Sequence, residues 1–304
     1  TVVPDSIIHF VFNLIALLAM VYRKKVQPCQ FKFLFQCGSR WAELGAWKLL
    51  VLAGANDVAN SVTGLAAQPH LTTFMMSLMD QATTPFTVLF SMLLLGTRYL
   101  AVEWVAIVVI MVAAASCVFL THESSSGDSH FWAIFAALTT SFAALSFVLK
   151  EITFNGYKQF LARVQLAEDG VWAPQQLNME RTSGLSTRAS VIAPDSLSVF
   201  LIGAFINFVG ILTSVPIALL NHAAVSSGPS LPALTDGLRD LLERENALTA
   251  YSVYVVINIA FNLSLILTTS YGSALLSFLS LKAAVPLTAI LSAVPWPVIG
   301  AKPL

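Results

Sequence analysis

The feature that most constrains this chain is a series of eight apolar stretches, each about as long as the ~20 residues a helix needs to cross a hydrocarbon core. They run over 6–22, 46–67, 71–95, 101–120, 130–150, 197–220, 250–270 and 272–294, and are labelled spans A to H below. A mean hydropathy of +0.77, with 57% hydrophobic and only 11% charged residues, separates the chain from soluble domains, in which about a quarter of residues are charged. The expectation is an all-α polytopic membrane protein whose first partner is the lipid bilayer.

Basic residues gather on the side from which membrane segments are inserted, so their positions test the span count. The loops and span ends after A, C, E and G hold twelve lysines and arginines; the other side has only Arg239, Arg244 and Lys302, and Lys282 falls inside span H. A missed or invented span in the middle would scramble that sorting. The A–B, C–D and E–F connections are therefore expected to face the cytosol or its equivalent, with Lys150 and Glu151 as interfacial anchors there.

Composition also removes several function classes. A formal net charge of zero, with no basic and aromatic stripe, gives no case for nucleic acid. Cys29, Cys37 and Cys117 form neither a disulfide framework nor a zinc pattern; a Cys29–Cys37 bridge stays open, and reduced thiols are the expected state. His122, Glu123, Asp128 and His130 flank a flexible Ser-Ser-Ser-Gly run and read as a solvated turn, so no metal and no cofactor is expected. No His-Glu-x-x-His, Gly-x-Ser-x-Gly or paired intramembrane aspartates occur, which argues against an enzyme.

Polar groups inside spans B and C carry the functional signal. A charged carboxylate at the bilayer centre costs roughly 2.5 kcal/mol or more, so Asp57 needs a partner, a proton or a wet cavity. It is read as contacting a substrate amine or coupling protons, with a structural pair to Lys282 as the alternative. Lys282 can also snorkel or attract an anionic solute. Asn60, Gln81, Thr84, Asn258 and Asn262 are uncharged hydrogen-bonding groups of the kind a solute pocket requires, although such amides also simply bridge helices. Pro85 and Pro286 can loosen the helix behind them by removing a backbone hydrogen bond, which suits a gate. Gly54, Ala55, Ala59, Ser61 and Gly64 on span B allow close helix packing.

These residues recur at a fixed offset. Asn56 and Asn258 are 202 apart, Asn60 and Asn262 are 202 apart, and Pro85 and Pro286 are 201 apart. Each Asn pair is separated by one helical turn and so lies on one face. Spans B and G are five apart and cross in opposite directions, which is the trace of an inverted repeat with a solute site near the midplane between its halves.

Certain motifs are more specific. Val148-Leu149-Lys150-Glu151-Ile152-Thr153-Phe154, Leu95-Gly96-Thr97-Arg98-Tyr99, Asn258-Ile259-Ala260-Phe261-Asn262-Leu263-Ser264, Val285-Pro286-Leu287 and Val294-Pro295-Trp296-Pro297-Val298-Ile299-Gly300, with Asp57 and Gln81 at their spacing, resemble the chloroquine-resistance-transporter-like proteins of the drug/metabolite transporter superfamily. The plant and algal plastid branch is closer than the parasite vacuolar branch. The resemblance implies ten transmembrane helices as two inverted five-helix repeats, with A to H as the second to ninth, so that eight of ten are present in this chain. Residues 1–152 would then be the first repeat plus the start of the second, 153–196 a mobile cytosol-side loop, and 197–304 the rest of the second repeat. Within that loop a short amphipathic piece is expected around 157–167, and an interfacial helix near 231–245 is expected to cap the cavity mouth.

The chain departs from the family's pattern at its missing first and tenth helices, its longer E–F loop, the absence of cysteines between F and G, and Lys282 in place of a small or hydroxyl residue. The implied activity is a secondary carrier moving a small polar solute, such as glutathione, gamma-glutamylcysteine or related peptides and amino acids, across a plastid membrane by alternating access. The competing class is a transporter-like scaffold subunit of a larger membrane complex.

Overall fold

The computed structural model describes residues 2–24, 26, 28–35, 45–71, 75–76, 79–101, 103–105, 107–109, 112, 128–168, 197–225, 247–277 and 279–280. These residues form helices and turns, with no strand among them. In chain order the helices are α1 (Val2–Tyr22), α2 (Pro28–Phe35), α3 (Gly45–Ala67), α4 (Thr83–Phe90), α5 (Asp128–Glu168), α6 (Val199–Val225) and α7 (Ala247–Tyr271). Gly45–His70, Phe131–Ala162 and Tyr251–Tyr271 are long and apolar enough to cross a membrane, and Ser6–Tyr22 and Val199–Ser214 are shorter apolar helices. In lipid, helices satisfy their own backbone groups, which is why apolar stretches of this length fold this way. The protein is an α-helical membrane protein.

Spans A, B, F and G coincide with α1, α3, α6 and α7 to within a few residues. Span C is not one regular helix. A 3₁₀ turn at Asp80–Ala82 leads into α4, and a π-helical turn at Ser91–Leu95 follows, ended by Gly96 in the left-handed region at φ 67°. Pro85 is the third residue of α4, in its first turn, where a missing N–H removes no bond within that helix. Span D is described only in part and span H only as far as Ser280. Lys282, Pro286, Cys37, Cys117, the 169–196 and 231–245 stretches and the 121–127 turn lie outside the described residues.

The expected mobile loop from 153 onward is corrected as far as Glu168. α5 is a single helix of 41 residues, about 60 Å at 1.5 Å per residue and twice the hydrocarbon thickness. Phe154, Tyr157, Phe160 and Leu161 share one helical face and pack on Phe33 and Leu34 of α2, a short helix that the A–B connection did not announce. The partner of this extension exists only in three dimensions.

α1 packs along α6, and α3 lies between α5 and α6. Two apolar clusters mark the two ends of α3. Leu17, Leu34, Leu50, Tyr157, Leu197 and Ile202 pack near its start, on the side of the basic loops; Ala67, Leu71, Met79, Ala133 and Ala136 pack near its end. Gly54 sets the α3–α6 distance, because a Cβ there would lie 3.1 Å from the Ile206 carbonyl and from Val209. Gln30, buried, accepts the Ser198 N–H at 3.1 Å and so caps the start of α6.

Candidate functional site

Between the two clusters lies a cavity of 720 Å³ walled by α1, α3, α5, α6 and α7. α3 supplies a stripe at helical spacing, with Asp57, Ser61, Gly64 and Gln68 facing the space. α1 contributes His9 and Asn13, α5 Lys150, α6 Asn207, and α7 Tyr251, Tyr254 and Asn262. At the wide end Leu65, Gln68 and Tyr254 are exposed; the other end stops at the cluster around Leu50.

The charged element is an ion pair. Lys150 Nζ donates to Asp57 Oδ2 at 2.8 Å, with Lys150 side chain 6% and Asp57 34% exposed. The same ammonium lies 4.5 Å from the centre of the Phe147 ring, a cation–π contact that offsets part of its lost hydration. This corrects one reading: Lys150 is not an interfacial anchor but a buried cavity residue, and it pairs with Asp57, while Lys282 lies outside the described residues. A lysine at the end of an apolar span looks like an anchor until α3 and α5 pack and bring its ammonium to the carboxylate.

Glu151 is likewise buried rather than interfacial. Its Oε2 accepts the Ala274 N–H at 2.8 Å, at the start of the helical turn that follows α7. Lys158, two turns further along the same face of α5, donates to the Ser270 carbonyl at 3.1 Å at the end of α7. A carboxylate at a helix start and an ammonium at a helix end both match the helix dipole.

Of the expected site residues, the fold brings Asp57, Asn60 and Asn262 to the cavity wall. Asn258 stands one bond behind: Asn262 Nδ2 donates to Asn258 Oδ1 at 2.9 Å, and Asn258 Nδ2 meets His9 Nε2 at 3.2 Å. Gln81 and Thr84 do not join them. Thr84 is fully buried beside α5, and its hydroxyl has no hydrogen-bond partner among the described residues. Of the small residues on α3, Gly54 is packed as expected, whereas Ser61 and Gly64 line the cavity instead, and nothing lies within 4 Å of a Cβ at Gly64.

The asparagines share one local device. Asn13 donates to the His9 carbonyl, Asn56 to Leu52, Asn207 to Gly203 and Asn262 to Asn258, at 2.9, 2.7, 2.7 and 2.9 Å. Bonding one turn back satisfies the amide donor within its own helix and lets a polar side chain sit in an apolar wall. His9, Asn13 and Asn207 were missed from the sequence, although His9 and Asn13 are four apart inside span A, the same signal that singled out Asn56 and Asn60. Cys29 Sγ lies 3.7 Å from the Tyr157 hydroxyl.

Residues 33–168 match the family described as CRT-like, chloroquine-resistance transporter-like. The matched stretch contains α3, α4, all of α5 and both members of the Asp57–Lys150 pair. No curated protein matches the chain.

Proposed function

We propose that the chain, whose residues 33–168 match the CRT-like, chloroquine-resistance transporter-like family, is a secondary carrier moving a small polar solute across a membrane by alternating access. The observation that carries this reading is the 720 Å³ cavity itself, walled by helices from both ends of the chain and holding an ion pair at its narrow end. A structural helix bundle has no use for such a space, whereas a carrier needs a wet pocket bounded by irregular or polar groups at membrane depth. In this reading Asp57, Asn60, Asn258 and Asn262 hold the solute, helped by His9, Asn13 and Asn207, and Lys150 positions Asp57 through their ion pair.

The ten-helix arrangement of inverted repeats is part of the same proposal. The matched back-bonding of Asn13 on α1 and Asn207 on α6, and the packing of α1 on α6, support it, because a pseudo-two-fold would relate those two helices to each other. Gln81, Thr84, Lys282 and the prolines Pro85 and Pro286 would act outside the described wall of the cavity, as gating or second-half residues. A plastid membrane and a glutathione-like thiol peptide complete the proposal on the strength of the motif resemblance.

The test is counterflow in proteoliposomes of the purified chain, with labelled glutathione, gamma-glutamylcysteine and single amino acids. Saturable uptake that weakens with Asp57→Asn is the expected result. No saturable counterflow of any of them, together with stoichiometric purification within a larger membrane complex, would make the protein a scaffold.

A further inference from the structure

The cavity is closed at one end, and the closure is specific. Every lining residue on α3 lies at Gly54 or beyond, and those on α1 lie at Asn13 or before. Past those points Leu17, Leu50, Tyr157 and Ile202 seal the space. The end that is shut is therefore the one flanked by the basic loops after α1 and α5. Three polar contacts from α5 sit at this end: Lys150 to Asp57 of α3, Glu151 to the Ala274 N–H, and Lys158 to the Ser270 carbonyl, at 2.8, 2.8 and 3.1 Å.

The last two grip the α7 exit from both sides. Ser270 belongs to the last turn of α7 and Ala274 opens the next, with Gly272 between them. Gly272 is hemmed in: a Cβ there would lie 2.9 Å from the Thr268 carbonyl and 2.6 Å from Leu276. Thr269 and Ser277 hydroxyls bond across the same turn at 2.8 Å. The turn is thus a compact unit held to α5 by two charge-assisted bonds, while only 11% of the apolar window of α7 is buried. Besides the mid-helix Asn258–His9 contact with α1, α7 is held at this end, and a lightly embedded helix can swing about such a contact when the end is released.

We propose that Glu151 and Lys158 are positioning residues forming a latch that keeps the basic-loop end of the cavity shut by pinning the α7 exit turn to α5, and that releasing this latch opens the cavity to that side. Lys150 and Glu151 are neighbours on α5, about 100° apart around its axis, so one short segment carries both the cavity's ion pair and the latch. Movement of α5 on engagement of a solute at Asp57 therefore reaches the α7 turn directly. This inference rests on the carrier reading but is tested without any solute.

The experiment uses the full chain with Cys29, Cys37 and Cys117 changed to Ser and Ser61→Cys placed as a reporter in the cavity wall. A membrane-impermeant maleimide is applied to sealed vesicles of each orientation. The parent is expected to label from the face opposite the basic loops. Glu151→Ala with Lys158→Met is expected to raise labelling from the basic-loop face by about tenfold or more, the effect of losing charge-assisted hydrogen bonds, and Lys158→Arg is expected to leave it at the parent level. Should the double variant fail to fold, Glu151→Gln, which keeps an acceptor and loses the charge, is expected to give an intermediate rise. Unchanged labelling in a variant whose melting shows it folded overturns the latch, as does equal labelling of the parent from both faces. A latch that opens in a protein showing no uptake would uphold the inference while removing the carrier reading.

Discussion

α3 and α7 carry the same Asn-x-x-x-Asn spacing, yet the fold uses them differently. α3 is wedged between α5 and α6, with 33% of its apolar window buried; α7 has 11% buried. On α3, Asn56 is buried and, among the described residues, bonds its own backbone at Leu52, and the residue next to it, Asp57, takes the charge into the cavity. On α7 the corresponding pair bond each other and reach His9 of α1, with Ile259 where α3 has its acid. One copy of the motif is anchored and charged, the other is lightly held and neutral. Equal spacing therefore does not imply equal duty: the packing around a motif decides whether it is scaffold or moving wall.

The largest effect that would sharpen this contrast is expected on the anchored side. Lys150→Met leaves the Asp57 carboxylate without its cation and is expected to destabilise the protein by about 3 kcal/mol, while Asp57→Asn combined with Lys150→Met recovers most of it. A double-mutant cycle by detergent-phase unfolding reads the coupling; additive single effects would show that the pair is not what anchors α3.

Next comes the packing that wedges α3 in place. Gly54→Val, pushed against the Ile206 carbonyl and Val209, is expected to cost about 1–3 kcal/mol. Gly64→Ala, on the same helix but facing open cavity, is expected to gain roughly 0.5–1 kcal/mol from helix propensity. Melting temperatures of the two variants decide it, and equal losses would mean that α3 is packed on all sides.

A smaller loss, about 1–2 kcal/mol, is expected for Gln30→Ala, which strands the buried Ser198 N–H at the start of α6. Denaturant unfolding of this variant reports whether that cap matters to the sealed end. The smallest stability effects belong to the amides themselves, at about 0.6 kcal/mol each. Asn56→Ala and Asn258→Ala should be nearly equal in melting but unequal in transport, with uptake falling only for Asn258→Ala, whose partners bridge α1 and α7. If Asn56→Ala abolished uptake just as strongly, the division of labour between the two helices would be wrong.

Much of this was legible from residues alone. Hydrophobic length located α1, α3, α6 and α7, because a helix in lipid must be apolar over its whole span and cannot hide that. The cost of a charge at membrane depth pointed to Asp57, and the cavity indeed forms beside it. The same reasoning applied to span A would have found His9 and Asn13. Gln81 and Thr84 obeyed the same rule but went elsewhere, because span C breaks into a 3₁₀ turn, α4 and a π turn, and that changes which face meets α5. The amphipathic piece expected around 157–167 proved continuous with α5, which the sequence did not show because its apolar face is met by residues of α2 and α6 far away in the chain.

The sequence by itself determined that the chain is an α-helical membrane protein, roughly where it crosses, and that Asp57 requires compensation. Those properties follow from transfer free energies, which are local and roughly additive along the chain. Only the tertiary structure decided that Lys150 supplies the compensation, that Glu151 and Lys158 hold the α7 exit, and which of the polar residues share one cavity. Partners 93 and 123 residues apart, as in Lys150–Asp57 and Glu151–Ala274, leave no periodic trace, because their meeting depends on how helices rotate and slide when their surfaces interlock.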